Sequence, residues 1–140
     1  MPVLKYDTTF LGYMRLFKSV TGADAKDCFM FNETLVFITE KGQTGLAIGK
    51  QGTNIKALKK GLKKNVIILE TANTPEDLVK HFVFPLTPES VLKNGNKINV
   101  KLKTSGERRM ILSNNLEKLK QLKFIVNRYF PDIEDIIILQ

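Results

Sequence analysis

The sequence predicts an α+β protein made of two similar halves in tandem. In the first half, segments of helical periodicity and short apolar runs of strand character follow the order helix, strand, strand, helix, helix, strand. A shift of 64 residues then lays Ile55 on Leu119 and Leu58 on Leu122, each pair inside predicted helices. We therefore expect a first domain over residues 1–72 and a second domain over residues 73–140, packed together.

The elements of the first half follow from apolar spacing and from turn residues. Apolar residues at helical spacing predict a helix near the start of the chain. Branched and aromatic runs on either side of Asn32-Glu33 predict a β-hairpin, because polar turn residues separate them. The predicted ranges are a helix over 8–20, strands over 27–31 and 34–39, helices within 43–64 around a glycine turn, and a strand over 66–69.

The second half begins at a helix-start signal. Thr74 is expected to cap a short helix that has Pro75 at its first position. Asn94-Gly95 is a strong turn signal, and alternating apolar and charged residues follow it as in a half-buried strand. The predicted elements after the short helix are an extended passage at Pro85 and Pro88, strands at 90–92 and 97–103, a helix over 116–129, and a strand over 135–139.

Charge is the most informative bulk property. The formal net charge is +8 and the isoelectric point is about 9.6. Such an excess favours an anionic partner, which leaves nucleic acid and a membrane surface open. The basic helix after the glycine turn has no Trp or Phe on its apolar side to insert into lipid, which disfavours the membrane.

Signals for secretion and for membrane insertion are missing from the sequence. The first ten residues, MPVLKYDTTF, have no charged-then-apolar signal pattern. No apolar run approaches the roughly 18 residues that a membrane span needs. We therefore expect a soluble, cytoplasmic protein. We also expect it to be a monomer.

Residues that usually carry catalysis are sparse. His81 is the single histidine and has no Ser or Cys nucleophile pattern near it. The carboxylate pair Glu134-Asp135 has no accompanying histidines that would complete a metal site. Because Cys28 is the single cysteine, an intramolecular disulfide is excluded. Its side chain is expected to be buried. We predict a non-catalytic protein that has no metal and no cofactor.

Two glycines, Gly49 and Gly52, bracket Lys50-Gln51 between two predicted helices. A P-loop would need one more spacer residue and a hydroxyl after the lysine, and the dinucleotide fingerprint Gly-x-Gly-x-x-Gly is absent. Gly-x-x-Gly between short helices is the arrangement with which KH domains grip single-stranded nucleic acid. Glycines permit the tight turn and leave no β-carbon to keep a phosphate away, while backbone N–H groups at the helix start favour an anion.

The surroundings of the glycine turn support this interpretation. Residues 41–64 contain seven lysines and no Asp or Glu, so that positive charge is undiluted there. Ile48 and Ile55 flank the turn and are candidates for the floor of a groove that receives bases, with plain core packing as the alternative. The lysines are Lys41, Lys50, Lys56, Lys59, Lys60, Lys63 and Lys64.

Three segments together resemble a known family. These are Asp27-Cys-Phe-Met30, Leu35-Val-Phe-Ile38 and the run from Gly45 to Lys56, GLAIGKQGTNIK. They are similar, in order, to the first KH domain of archaeal NusA-like transcription termination and antitermination factors, and the resemblance extends over almost the whole chain. It implies two tandem type II KH domains. It also implies that Gly49–Gly52 grips RNA and that Ile48, Asn54 and Ile55 lie beside the base-binding groove.

The second half departs from the family pattern. The shift of 64 residues places Ser113, Asn114, Asn115 and Leu116 where the glycine loop should be. Leu116 has a β-carbon where the phosphate chain would approach, so we do not assign backbone gripping to this domain. Arg108, Arg109, Asn114 and Asn115 are interpreted as ordinary surface, with RNA contact as the alternative.

The sequence thus predicts an RNA-binding module that holds about four nucleotides of single-stranded RNA in its first domain. The partner is predicted to be nascent transcript near RNA polymerase, or alternatively a ribosomal particle, which co-sedimentation with ribosomal subunits would reveal. The residues predicted to bind RNA are Ile48, Gly49, Lys50, Gln51, Gly52, Asn54, Ile55, Lys56, Lys59, Lys60 and Lys63.

Overall fold

The computed structural model describes residues 8–140. Residues 1–7 lie outside the described residues. They include most of the segment in which the sequence shows no signal pattern. The chain divides into two compact units, with the boundary between Thr71 and Ala72. Helices and strands occur in both units, which confirms the α+β class.

In its described residues, the first unit contains three α-helices, a short 3₁₀ turn and a three-stranded sheet. Strand β2 is central, antiparallel to β1 and parallel to β3. The hairpin turns at Asn32-Glu33, as predicted, and Asn32 has a φ of 53°. The elements are α1 Thr8–Thr21, β1 Ala25–Phe31, β2 Thr34–Thr39, α2 Thr44–Ile48, a 3₁₀ turn Lys50–Gly52, α3 Thr53–Leu62 and β3 Asn65–Glu70.

The core of the first unit lies between its helices and one face of the sheet. Phe17 of α1 stacks on Phe37 of β2, with ring centroids 4.5 Å apart, a contact worth about 0.5–1.5 kcal/mol beyond the burial of the rings. Leu58 of α3 and Ala47 of α2 are fully buried in the same cluster. Cys28 is also buried there, as the sequence predicts. This core fixes the places of the two helices that flank the glycine turn.

The second unit has the same sheet topology. Its central strand β5 pairs antiparallel with β4 and parallel with β6. Helix α4 begins as predicted, because the Thr74 hydroxyl oxygen accepts a hydrogen bond from Asp77 N (3.2 Å) and Pro75 follows the cap. The elements are α4 Pro75–Val83, β4 Ser90–Asn94, β5 Lys97–Lys101, α5 Ser105–Tyr129 and β6 Asp135–Ile138.

The sequence prediction missed the first part of the long helix, whereas the predicted helix over 116–129 corresponds to the part that follows a break at Ser113–Leu116. Helix α5 begins at Ser105, eleven residues before Leu116, and the preceding strand ends at Lys101. Thr104 caps the helix by accepting from Glu107 N (3.1 Å), and the Glu107 carboxylate accepts from Lys103 N (3.0 Å). A Thr followed three residues later by Glu is a helix-start signal. The apolar pattern alone does not reveal this helix, because Ile111 is the one buried residue between 105 and 112.

Candidate nucleic-acid interface

The predicted glycine turn joins α2 to α3 in the first unit. Gly49 has φ 81° and ψ 165°, Gln51 has φ 57° and ψ 27°, and Gly52 has φ 74° and ψ 18°. The turn is closed by a hydrogen bond from Gly52 N to Gly49 O (3.1 Å), and the Thr53 hydroxyl donates to Lys50 O. The backbone therefore runs through the left-handed region at Gly49, Gln51 and Gly52, which explains why two of these positions are glycine.

Gly49 is required by packing inside the protein. A β-carbon at Gly49 would lie 2.8 Å from both the backbone nitrogen and the amide carbon of Asn54. Asn54 is held in this place because its Nδ2 donates to Leu46 O (2.9 Å), the carbonyl of a residue in α2. Asn54, predicted to lie beside the RNA groove, thus ties the two helices of the turn together.

Gly52 has a different environment. A β-carbon there would meet nothing closer than Ile55 Cγ2 at 3.6 Å, an ordinary contact distance. Its positive φ disfavours other residues by about 1 kcal/mol, but space does not exclude them. The missing side chain of Gly52 leaves the start of α3 open on its outer side. The two glycines of the motif therefore have different roles: Gly49 permits internal packing, and Gly52 leaves the surface of the turn open.

The N-terminus of α3 is electrostatically open to an anion. No side chain caps the helix at Gly52, and its first turn has no acidic residue. The positive end of the helix dipole and the first N–H groups are therefore not offset by the protein's own carboxylates. Lys50 and Gln51 are exposed in the turn just before this end.

The lysines of the predicted site are available to an external partner. Five lysines belong to this site, and within residues 8–140 none of them forms an ion pair. By contrast, Lys18, Lys93 and Lys123 each lie within 3.3 Å of a carboxylate oxygen. The unpaired set, all exposed, is Lys50, Lys56, Lys59, Lys60 and Lys63.

The apolar residues that flank the turn serve the core as well. Ile48 and Ile55 are half-buried and pack against the core cluster of the first unit. Core packing, one of the two alternatives considered from the sequence, is therefore confirmed for both residues, and each side chain also presents some surface. Lys63 lies one residue beyond the end of α3 in a left-handed conformation, so it does not extend the helix face.

A loop that shares part of this geometry occurs in the second unit. Helix α5 is interrupted at Ser113–Leu116, where Asn115 has φ 56° and ψ 35° and Leu116 has φ 64° and ψ 27°. These values match those of Gln51 and Gly52 at a shift of 64 residues. These two positions keep their backbone conformation without glycine, whereas Ser113 has a φ of −77° where Gly49 has 81°. Leu116, 42% exposed, stands at the position of Gly52.

The surface around this second loop differs in charge. Lys123, which the same shift places on Lys59, forms an ion pair with Asp135 (2.9 Å). Arg108 and Arg109 precede the loop, and a shallow pocket of about 280 Å³ lies beside it. The residues that line the pocket are Ser105, Arg108, Arg109, Leu112 and Ser113.

Other kinds of site receive no support in the described part of the chain. Residues 8–140 contain no group of three or more His, Cys, Asp or Glu side chains that could hold a metal ion. Across the same residues, no helix is both long enough and apolar enough to cross a bilayer.

Comparison with known proteins identifies the family. A family model described as KH domain matches residues 13–107, from α1 to the beginning of α5. The chain therefore belongs to the KH domain family. The chain is also similar to archaeal proteins named NusA, which makes it an archaeal NusA-like member of this family. This confirms the resemblance seen in the sequence.

Several curated relatives carry the name "Probable transcription termination protein NusA". The protein from Halococcus morrhuae is 28% identical over 130 residues, which cover 91% of this chain and 93% of the relative. The Methanococcus vannielii protein is 30% identical over 99 residues, or 69% of this chain and 57% of the relative. The Halobacterium salinarum protein is 31% identical over 85 residues, or 61% of each chain.

A solved structure supports the fold over nearly the whole length. It is the crystal structure of a protein designated APE1850, and it superimposes with a TM-score of 0.75 at 26% sequence identity. The match covers 92% of this chain and 96% of that chain.

Proposed function

We propose that the protein is a non-catalytic RNA-binding factor of the NusA type that grips single-stranded RNA at the Gly49–Gly52 loop. Membership of the KH family supports RNA binding, and the names of the relatives support a part in transcription termination. The observation that carries the proposal is the coincidence of the open, uncapped start of α3 with exposed lysines that no carboxylate of residues 8–140 neutralises.

In this proposal the RNA backbone approaches the turn on the side of Gly52. The first N–H groups of α3 and the Lys50 ammonium bind phosphate oxygens, and the absence of a side chain at Gly52 permits close contact. Lys56, Lys59, Lys60 and Lys63 attract the neighbouring phosphates. Ile48 and Ile55 present their exposed parts to the bases, and about four nucleotides occupy the site.

Asn54 has a supporting part in this proposal. Its side-chain nitrogen is engaged by Leu46 O and its backbone nitrogen lies against Gly49. Asn54 therefore sets the shape of the loop and acts on RNA through the loop.

We propose that both units are KH domains and that the second does not grip the RNA backbone. Its loop matches the first in backbone conformation at Asn115 and Leu116 but differs at Ser113, and Leu116 projects a side chain where Gly52 leaves space. The protein is proposed to act in the cytoplasm on nascent transcript beside RNA polymerase.

The test is RNA binding by fluorescence anisotropy with a matched pair of variants. Lys50→Asp with Gln51→Asp places two carboxylates in the first loop, and Asn114→Asp with Asn115→Asp places them at equivalent positions in the second. Affinity for single-stranded RNA should collapse in the first variant and change little in the second. Circular dichroism checks that both variants stay folded. Retained binding in the first variant would show that the RNA lies elsewhere.

A further inference from the structure

We propose that Glu70 is a positioning residue for the RNA-binding loop, although it lies outside the loop and carries the wrong charge for RNA. This inference rests on the proposed function. Glu70 is the last residue of β3 and pairs in register with Thr39 of β2. Its carboxylate holds the segment that leads into α2, and α2 leads directly into Gly49.

The contacts of Glu70 converge on the start of α2. Its Oε1 accepts from Gly42 N (3.1 Å) and, at a longer 3.5 Å, from the hydroxyl of Thr44, the first residue of the helix. The Thr44 hydroxyl also lies 2.9 Å from the Thr39 hydroxyl, which is fully buried. The helix start is thereby tied to the ends of the two strands β2 and β3.

Helix α2 needs such external ties because it is too short to be stable alone. It has five residues, of which Ala47 is the one that is buried, and isolated helices of this length do not persist in water. Gln43 does not cap it, since the Gln43 side-chain oxygen accepts instead from Asp24 N (3.0 Å). Glu70 holds the beginning of α2, and Asn54 holds its end through Leu46 O.

The charge of Glu70 makes the proposal testable by the sign of the effect. Residues 41–64 have no carboxylate, and Glu70 is an acid that contacts this basic segment. If Glu70 acted on RNA through charge alone, its removal would strengthen binding, because a carboxylate repels phosphates. If it positions the loop, its removal weakens binding.

The experiment compares Glu70→Ala, Glu70→Gln and Glu40→Ala in anisotropy titrations with single-stranded RNA. Glu70→Ala should weaken binding about threefold to tenfold, the equivalent of losing one or two hydrogen bonds, with an unchanged salt dependence. Glu70→Gln keeps an oxygen that can accept from Gly42 N, so its affinity should stay within about twofold of wild type. Glu40→Ala removes an exposed acid beside the same segment and should leave affinity unchanged or slightly higher.

Hydrogen exchange separates positioning from general loss of stability. The Gly42 amide and the amides of α2 should exchange faster in Glu70→Ala than in Glu70→Gln, while strand amides of β2 stay protected. Thr44→Val, which removes the hydroxyl between Thr39 and Glu70, should weaken RNA binding in the same direction and serves if Glu70→Ala does not fold.

Equal or tighter binding by Glu70→Ala would overturn the inference. So would a loss of affinity in Glu70→Gln as large as that in Glu70→Ala, since the acceptor would then be irrelevant. Failure of the proposed function is distinguishable, because it would appear as retained RNA binding in the Lys50→Asp, Gln51→Asp variant.

Discussion

Asn54 lies directly against Gly49, with its backbone nitrogen 2.8 Å from the place where a Gly49 β-carbon would stand. The amide side chain of Asn54 continues from this contact to the carbonyl of Leu46 in α2. The second loop has Ser113 and Lys118 at the corresponding positions, and Ser113 has a φ of −77° that any residue adopts. Gly49 is thus required by packing within this turn, whereas Gly52 lies at its outer surface.

Gly49→Ala is expected to destabilise the first unit. The new β-carbon would collide with backbone that cannot move freely, and φ of 81° is strained for alanine, so we expect a loss of at least about 2 kcal/mol in the free energy of unfolding. Gly45→Ala is the matched control, because nothing lies within 4 Å of its β-carbon and alanine favours the helix. Denaturant titration measures both, and equal stability of the two variants would contradict the packing argument.

Gly52→Ala is expected to affect RNA more than folding. Alanine fits sterically and costs about 1 kcal/mol of stability through its positive φ. Its methyl group would stand on the surface where the phosphate chain is proposed to approach, so affinity for single-stranded RNA should fall although the protein stays folded. Anisotropy and thermal unfolding on the same sample check this. Wild-type affinity in Gly52→Ala would show that phosphate does not approach this face.

Leu116→Gly is expected to change the stability of the second unit by less than about 1 kcal/mol, because opposing effects nearly cancel. Glycine relieves the strain of leucine at φ 64°, a gain of about 1–2 kcal/mol. The loss of a side chain that is 42% exposed and the greater freedom of glycine in the unfolded chain act in the opposite direction. The reciprocal change Gly52→Leu in the first unit should destabilise by more than Gly52→Ala. Denaturant titration measures both, and a loss well above about 1 kcal/mol in Leu116→Gly would show that the packing of the leucine outweighs its backbone strain.

RNA affinity is expected to depend steeply on salt. About four phosphates bound by a single strand, with a slope near −0.7 per phosphate, predict that binding weakens about fifty-fold between 50 and 200 mM salt. Lys59→Gln should reduce the slope, whereas Lys123→Gln, whose lysine is paired with Asp135, should leave it unchanged. Titrations at four or five salt concentrations give the slope. A flat response in the wild-type protein would contradict a phosphate-gripping mode.

Acid is expected to weaken the second unit through Asp135. The hydrogen bond from Lys123 holds the pKa of Asp135 below its ordinary value, with Ile136 N–H acting in the same direction and burial opposing both. A lowered folded-state pKa stabilises the protein above the unfolded pKa, near 4, and this contribution is lost as the pH falls through the folded value. Because both side chains are 41% exposed, the effect should not exceed the range of about 0.2–1 kcal/mol typical of surface pairs.

Asp135→Asn tests this pH dependence. The free energy of unfolding of the variant should lie below that of wild type near neutral pH, and the two should converge as the pH falls through the lowered folded-state pKa of Asp135. Glu134→Gln, one residue earlier, is the control, because this carboxylate accepts from the neutral amide of Asn96, and it should not converge in this way. A constant difference between wild type and Asp135→Asn at every pH would show that the lost interaction is not the carboxylate charge.

Local patterns in the sequence predicted most of the elements. The hairpin at Asn32-Glu33, the capped start of α4 at Thr74-Pro75 and the glycine turn between α2 and α3 all stand where the residues indicate. These features depend on φ preferences and on hydrogen bonds between near neighbours, which the sequence displays directly. The first part of α5 was missed because one buried residue leaves little periodicity, and the Thr104–Glu107 cap that marks its start was not recognised.

The sequence by itself determined the position of the candidate loop, the concentration of lysines around it and the order of strands and helices. Only the tertiary structure decided how those residues divide their work. Packing against Asn54 requires glycine at position 49, and Gly52 faces outward. The lysines of the candidate site have no carboxylate partner in the described part of the chain, and Glu70 reaches the start of α2 from 28 residues away along the chain. Spacing along a chain specifies which residue types are present, whereas contact, free space and charge pairing arise when distant segments pack together.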